Sequence, residues 1–177
     1  MVTPRQVEQW LLQAESDLDA AEATAEGISE SHTRYWLQQS YEKAIKAWGL
    51  MNWPFSADDE AQFHHVFLRR HSPFLFIDNT NAPLPKSIHL LRRAARTFVN
   101  GLAYRNVLVK LDGTTPEFDE TKVSYRYPFI ADGEHVAPCA YEGWNAYQGE
   151  SGEVRRSVRN FIREVRGELT LFGRAPK

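Results

Sequence analysis

Three groups of charged and aromatic residues have the types and the spacing to bind a phosphate or a nucleotide. Lysines and arginines can neutralise a phosphate, and tyrosines on either side of an arginine can stack on a base while the guanidinium holds a phosphate with two hydrogen bonds. The members of the three groups are Glu42, Lys43 and Lys46; Tyr125, Arg126 and Tyr127; and Arg155 and Arg159.

Each group also has a structural interpretation. Glu42 and Lys46 are four residues apart in the order that favours an ion pair on a helix surface. The arginines near the C-terminus can serve as an ordinary solvated helix face. Arg126 can pair with an acidic residue of the first two helices, such as Glu42 or Asp17, while its tyrosine neighbours cover the protein body. Both interpretations stay open at this stage.

Helical periodicity indicates the elements that position these residues. Apolar residues recur at intervals of three and four in four long segments, and a shorter helix is expected between two of them. The expected helices run from Thr3–Pro4 to Gly27, from Ser31 to Gly49, from Ser56 to Arg70, from Pro85 or Ser87 to before Asp112, and from Ser151 to Leu171. No sustained apolar–polar alternation and no Asn-Gly dipeptide indicates a strand or hairpin. The sequence therefore predicts an all-α, up-and-down bundle of four to five helices.

Residues 113–149 form a long connection rich in proline, glycine and aromatic residues. A structureless loop of this length is unusual in a compact domain. The aromatic residues indicate that the connection packs on the helices, with a short helix near 140–147. We expect one domain over residues 1–177.

The composition of the chain excludes several classes of protein and of binding site. The chain has 177 residues, 42% of them hydrophobic, and one cysteine, Cys139, which excludes an internal disulfide and a thiolate metal cluster. Its histidines do not converge with carboxylates at helical spacing, so neither a metal nor a cofactor is expected. Without a long apolar run or a signal-peptide pattern, we expect a soluble, cytoplasmic protein.

The formal net charge of -2 hides an asymmetry along the chain. Residues 1–60 carry a net charge of -7, residues 61–177 carry +5, and residues 155–177 contain 7 basic and 2 acidic side chains. Opposite charges of this kind can attract within the fold, pair two copies of the chain, or leave a surface for phosphate.

Four short segments carry a resemblance to a known family. They are Ala14–Leu18, Gln38–Ala47 with its Glu-Lys-Ala-x-Lys-Ala pattern, Phe63–Leu68 and Tyr125–Pro128 with its Arg-Tyr-Pro sequence. In this order they resemble the HEPN domain family. The resemblance implies a helical bundle that is commonly homodimeric. Family members act as ribonucleases, as toxins or partners of small nucleotidyltransferases in toxin–antitoxin systems, or as non-catalytic modules that bind nucleotides or RNA.

Catalytic members of that family carry an arginine, a polar residue and a histidine four to six positions after the arginine. Arg159-Asn160 supplies the start of this motif, but no histidine follows. We therefore expect a non-catalytic binding or regulatory module for a nucleotide, RNA or a nucleotidyltransferase-type partner. One alternative is a metal-independent, toxin-like ribonuclease that uses His135 or His65. A further alternative is a structural oligomerisation module.

Overall fold

The computed structural model describes residues 3–24, 30–52, 86–91, 129–131, 134–140 and 148–172. They contain helices α1 (Pro4–Thr24), α2 (Glu30–Asn52), α3 (86–91) and α4 (Gln148–Phe172), strands β1 (Phe129–Ala131) and β2 (Glu134–Val136), and a 3-10 turn (Pro138–Ala140). The expected helix from Ser56 to Arg70 and most of the expected fourth helix lie outside these residues.

The predicted start of α1 is confirmed. The Thr3 hydroxyl accepts a hydrogen bond from the Gln6 backbone N–H at 3.3 Å, and the Gln6 side-chain oxygen accepts one from the Thr3 backbone N–H at 2.8 Å. This reciprocal capping box satisfies two backbone donors at the helix start. Pro4 occupies the first helical position, where its missing N–H carries no penalty.

Helix α2 continues past the predicted end at Gly49 and reaches Asn52. A glycine inside a helix costs about 1 kcal/mol relative to alanine, and burial of its neighbours Trp48 and Leu50 outweighs that cost. In the last turn, Asn52 Nδ2 donates to the Trp48 carbonyl at 3.0 Å. Because α2 is buried on nearly every side, it is the central helix of the described part of the molecule.

The three long helices form the confirmed all-α bundle, in which α1 packs on α2 and both pack on α4. The ends of the helices show their directions. Ser151, near the start of α4, contacts Glu30 at the start of α2, so these two helices run parallel. The predicted apolar stripes of these helices form most of the core, to which they contribute Val7, Leu11, Ala14, Leu18, Ala21, Leu37, Tyr41, Ala44, Ile45, Trp48, Val154, Val158, Phe161, Ile162 and Val165.

Helix α3 begins where the sequence predicts a fourth helix, and α4 holds its first turn. The backbone N–H groups of Lys86 and Ser87 donate to the two carboxylate oxygens of Glu164 at 3.2 and 3.1 Å. A carboxylate at a helix N-terminus satisfies free donors and opposes the helix dipole. Ile88 and Leu91 then enter the core.

The expectation of no strands is wrong for one short hairpin. β1 pairs antiparallel with β2, and Ile130 lies opposite His135. Between the strands the sequence reads Asp132-Gly133, a dipeptide that favours two-residue hairpin connections in the same way as Asn-Gly. The 3-10 turn that follows contacts α2. One part of the long connection therefore packs on the bundle, whereas residues 141–147, where a short helix is predicted, lie outside the described residues.

No helix in the described ranges has the length and apolar character that crossing a membrane requires.

Candidate functional site

Glu42 and Lys46 form the predicted ion pair, but its predicted location on the helix surface is wrong. The Lys46 Nζ lies 2.6 Å from a Glu42 carboxylate oxygen, and the two residues are only 3% and 4% exposed. The same ammonium lies 5.5 Å from the centre of the Trp10 ring, within cation–π range. Removing two charges from water is costly unless they satisfy each other. Because both are buried and bonded to one another, this pair belongs to the interior of the bundle.

Lys43 also has a partner within the protein. Its Nζ lies 2.5 Å from Asp17 on α1 and 3.1 Å from the Gln39 side-chain oxygen. The second Asp17 oxygen accepts a hydrogen bond from Gln13 at 2.9 Å. The first candidate group is therefore engaged within α2 and between α2 and α1.

A second buried polar contact joins α2 to α4, and the sequence analysis did not identify it. Arg34 is fully buried and its Nε donates to Glu30 at 3.1 Å. The hydroxyl of Ser151 donates to the same carboxylate. The four-residue spacing of Glu30 and Arg34 was visible in the sequence, but the contact with Ser151 depends on how α4 packs.

Two arginines of α4 pair with acidic residues of α1 along the boundary between these helices. Arg166 donates from Nε and Nη2 to the two oxygens of Glu15, each at 2.5 Å. These hydrogen bonds are the main reason why the pKa of Arg166 is raised. Arg159 Nη2 donates to Glu22. These pairs confirm that part of the charge asymmetry along the chain is neutralised inside the fold.

Three other arginines lie on this side of α4. Arg155 is half-buried and Arg156 and Arg163 are exposed, and within the described residues none of them forms an ion pair. The Nε of Arg155 is buried and has no hydrogen-bond acceptor in the part of the chain that the structure describes. We call these three residues, together with Arg159, the arginine row.

The spacing of the arginine row places its members close to one another. Arg155, Arg159 and Arg163 follow at intervals of four residues, so they share one face of the helix and their like charges repel by a few tenths of a kcal/mol. At a rise of about 1.5 Å per residue the row extends about 12 Å. A methyl group added at Gly152, one turn before Arg156, would meet no atom of the described residues within 4 Å.

Two acidic residues of α4, Glu164 and Glu168, lie on a different side of the helix from the row. A third, the exposed Glu153, precedes Arg156 by three residues, and no ion pair joins the two among the described residues. Glu164 caps α3, as described above. Glu168 faces the end of α2. Burial raises the pKa of its carboxyl group and the charge of Glu164 adds to the effect, while the polar side chains of Asn52 and Trp48 act in the opposite direction. Within the described ranges, the row is a concentration of positive charge in which one arginine, Arg159, forms an ion pair, with Glu22.

Several other candidates lie outside the described residues. Tyr125, Arg126, Tyr127 and His65 are among them, so both interpretations of Arg126 remain predictions. The backbone of His135 belongs to β2. In the described ranges, no three His, Cys, Asp or Glu side chains are arranged to hold a metal ion.

The arginine row of α4 can bind an anion through its guanidinium groups, which match the oxygen geometry of phosphate. Comparison of the chain with protein-family models, curated proteins and solved structures finds no match. The residues themselves are therefore the basis for assigning a function.

Proposed function

We propose that this protein is a HEPN-like helical module with a binding or regulatory role. Its ligand carries phosphate groups and is in the first place RNA, and the arginine row of α4 contacts the phosphates. The observation that carries the proposal is the exposure of three arginines and their lack of ion pairs within the described ranges. Arg155, Arg156 and Arg163 share one side of α4, lie at least partly in solvent and, among the described residues, have no acidic partner.

The length of the row favours RNA over a mononucleotide. The row extends about 12 Å along the helix, further than one phosphate group can bridge. A single-stranded backbone presents several phosphates in succession, so it can contact both ends of the row at once. Because Arg156 and Arg163 are exposed, the row can be reached from solvent.

The contacts that the candidate residues of α2 make within the protein support a non-catalytic role. A general acid or base must reach the proton that it transfers. Glu42 and Lys46 are buried and bonded to one another, and Lys43 is bonded to Asp17. These residues stabilise the helices, and ligand contact falls to the row and to the predicted Tyr125–Tyr127 segment.

Fluorescence anisotropy with a labelled single-stranded RNA of about twelve nucleotides, in EDTA at low salt, tests the proposal. The double variant R156Q/R163Q removes two exposed charges of the row. The double variant R5Q/K86Q removes two exposed charges from α1 and α3 and changes the net charge equally. We expect R156Q/R163Q to bind about tenfold more weakly, since each lost phosphate contact weakens an electrostatic complex, while R5Q/K86Q binds as the wild type does.

The same experiment separates the alternatives. An equal loss in both double variants would show attraction by net charge alone, and no binding by the wild type would contradict the proposal. Cleavage of the RNA in EDTA would favour the ribonuclease, and H135A and H65A would then locate its histidine. Arg126→Ala tests whether the Tyr125–Tyr127 segment contributes.

Two further proposals follow from the resemblance and need separate measurements. A nucleotidyltransferase-type protein is the other partner class, and loss of its binding in R156Q/R163Q would place it on the same row. For a homodimer, light scattering at low and high salt distinguishes an electrostatic assembly, which loosens as salt rises, from an apolar one.

A further inference from the structure

We infer that Glu22 of α1 is an intramolecular competitor for the phosphate ligand of the arginine row. This inference rests on the function proposed above. The Glu22 carboxylate accepts a hydrogen bond from Nη2 of Arg159. Arg159 lies four residues from Arg155 and four from Arg163, so the carboxylate occupies the middle of the row.

The exposure of this pair allows exchange with a ligand. The side chains of Arg159 and Glu22 are 39% and 37% exposed, so both are accessible to solvent. Ion pairs of this kind contribute little to stability, because water screens the attraction and two flexible side chains must be ordered. An RNA phosphate can therefore take the place of the carboxylate on Arg159 without unfolding the bundle.

The negative charge of Glu22 also acts on the neighbouring arginines. A phosphate that approaches Arg155 or Arg163 meets the repulsion of a carboxylate about one helical turn away. With Glu22 in place, the row binds phosphate more weakly than its arginines alone would. Glu22 thus sets the affinity of the site and acts as a built-in phosphate mimic.

A second ion pair between the same helices provides a matched control. Glu15 bonds to Arg166 on α4, and the exposures of these side chains are 33% and 36%, close to those of Glu22 and Arg159. Glu15 precedes Glu22 by seven residues on α1, and Arg166 lies beyond the C-terminal end of the row. Loss of either glutamate removes one negative charge and one contact between α1 and α4, but only Glu22 lies in the row.

The test compares E22Q with E15Q in the anisotropy assay with the same single-stranded RNA. We expect E22Q to bind about fivefold more tightly and E15Q to stay within about twofold of the wild type. Since Arg159 then becomes available to a phosphate, the slope of log K against log salt should become steeper by about 0.7 in E22Q. Removing the arginine as well should abolish the gain, so that E22Q/R159Q binds no more tightly than R159Q.

Each other result has a defined meaning. Equal tightening in E22Q and E15Q would show a general charge effect and overturn the competitor role. If the wild type binds RNA through the row but E22Q binds no more tightly, the competitor role is wrong and the proposed function stands. If neither protein binds RNA, both proposals are wrong. Circular dichroism melting of each variant confirms that it is folded.

Discussion

The charges of α2 and those of α4 show opposite uses of the same residue types. On α2, Glu42 and Lys46 are buried and meet each other at 2.6 Å. On α4, Arg156 and Arg163 are exposed and, within the described residues, have no acidic partner. A buried charge requires a partner inside the protein, whereas an exposed one is available to a ligand.

The difference between α2 and α4 also corrects what the charge pattern of the sequence predicts for these residues. In the sequence, the α2 pair resembles a surface pair and the α4 arginines resemble a solvated face. The structure places the α2 pair in the interior, and it divides the α4 arginines into two that pair with α1 and three that do not. Burial and pairing, and not the number of charges, separate a structural residue from one that can bind.

The largest expected effect comes from breaking the buried pair. Lys46→Met removes one partner and leaves the Glu42 carboxylate in the interior, so we expect a loss of about 3–5 kcal/mol in the free energy of unfolding. Urea unfolding followed by circular dichroism measures it. The control E42L/K46M removes both charges and should lose much less. A change below about 1 kcal/mol in Lys46→Met would contradict the assignment of this pair to the interior.

A smaller effect of opposite sign is expected beside the arginine row. Gly152→Ala adds a methyl group where no atom of the described residues lies within 4 Å and removes the helix penalty of glycine. Stability should rise by about 0.5–1 kcal/mol. Gly167→Ala, at a position of α4 where the same holds, should give the same gain. Destabilisation in both variants would show that this side of α4 is covered.

The carboxyl group of Glu168 should make the stability of the folded protein depend on pH. Burial, aided by the charge of Glu164, raises its pKa in the folded protein. The folded state then holds this proton more tightly than the unfolded chain, so stability is lost as the pH rises through the unfolded and then the folded pKa. Glu168→Gln removes that loss and should raise the melting temperature at pH 7, with the gain disappearing below about pH 4. Thermal melts at both pH values check it, and an equal gain at both would contradict the role of ionisation.

The smallest expected effect is on the stability of the arginine row itself. Because exposed charges contribute little and the like charges of the row repel, R156Q/R163Q should change the free energy of unfolding by no more than about 0.5 kcal/mol. The urea measurement used for Lys46→Met applies here as well. A loss approaching that of Lys46→Met would show that these arginines hold the fold.

Much of this fold could be predicted from local patterns. The Thr3–Pro4 start of α1 and the apolar stripe of α4 follow from capping and periodicity, which involve only neighbouring residues. The end of α2 could not be predicted, because burial around Gly49 overrides the helix preference of glycine. The hairpin had a local signal in Asp132-Gly133, because Asp-Gly favours a two-residue hairpin turn as Asn-Gly does.

The candidate site was less predictable, because pairing across helices determines it. The sequence identified Arg155 and Arg159 as binding residues, but only the packing of α1 on α4 gives Arg159 a partner, and among the described residues Arg155 has none. Glu22 carries no motif of its own. Its importance comes from a contact between residues 137 positions apart in the chain.

The salt dependence of RNA binding tests the central claim most directly. If Arg155, Arg156 and Arg163 contact phosphates, log K for single-stranded RNA should fall with log salt at a slope of about -2, since each contact contributes about -0.7. In R156Q/R163Q the slope should shrink to about -0.7. A wild-type slope near zero, or the same slope in both proteins, would contradict the claim that the arginine row of α4 is the phosphate-binding surface.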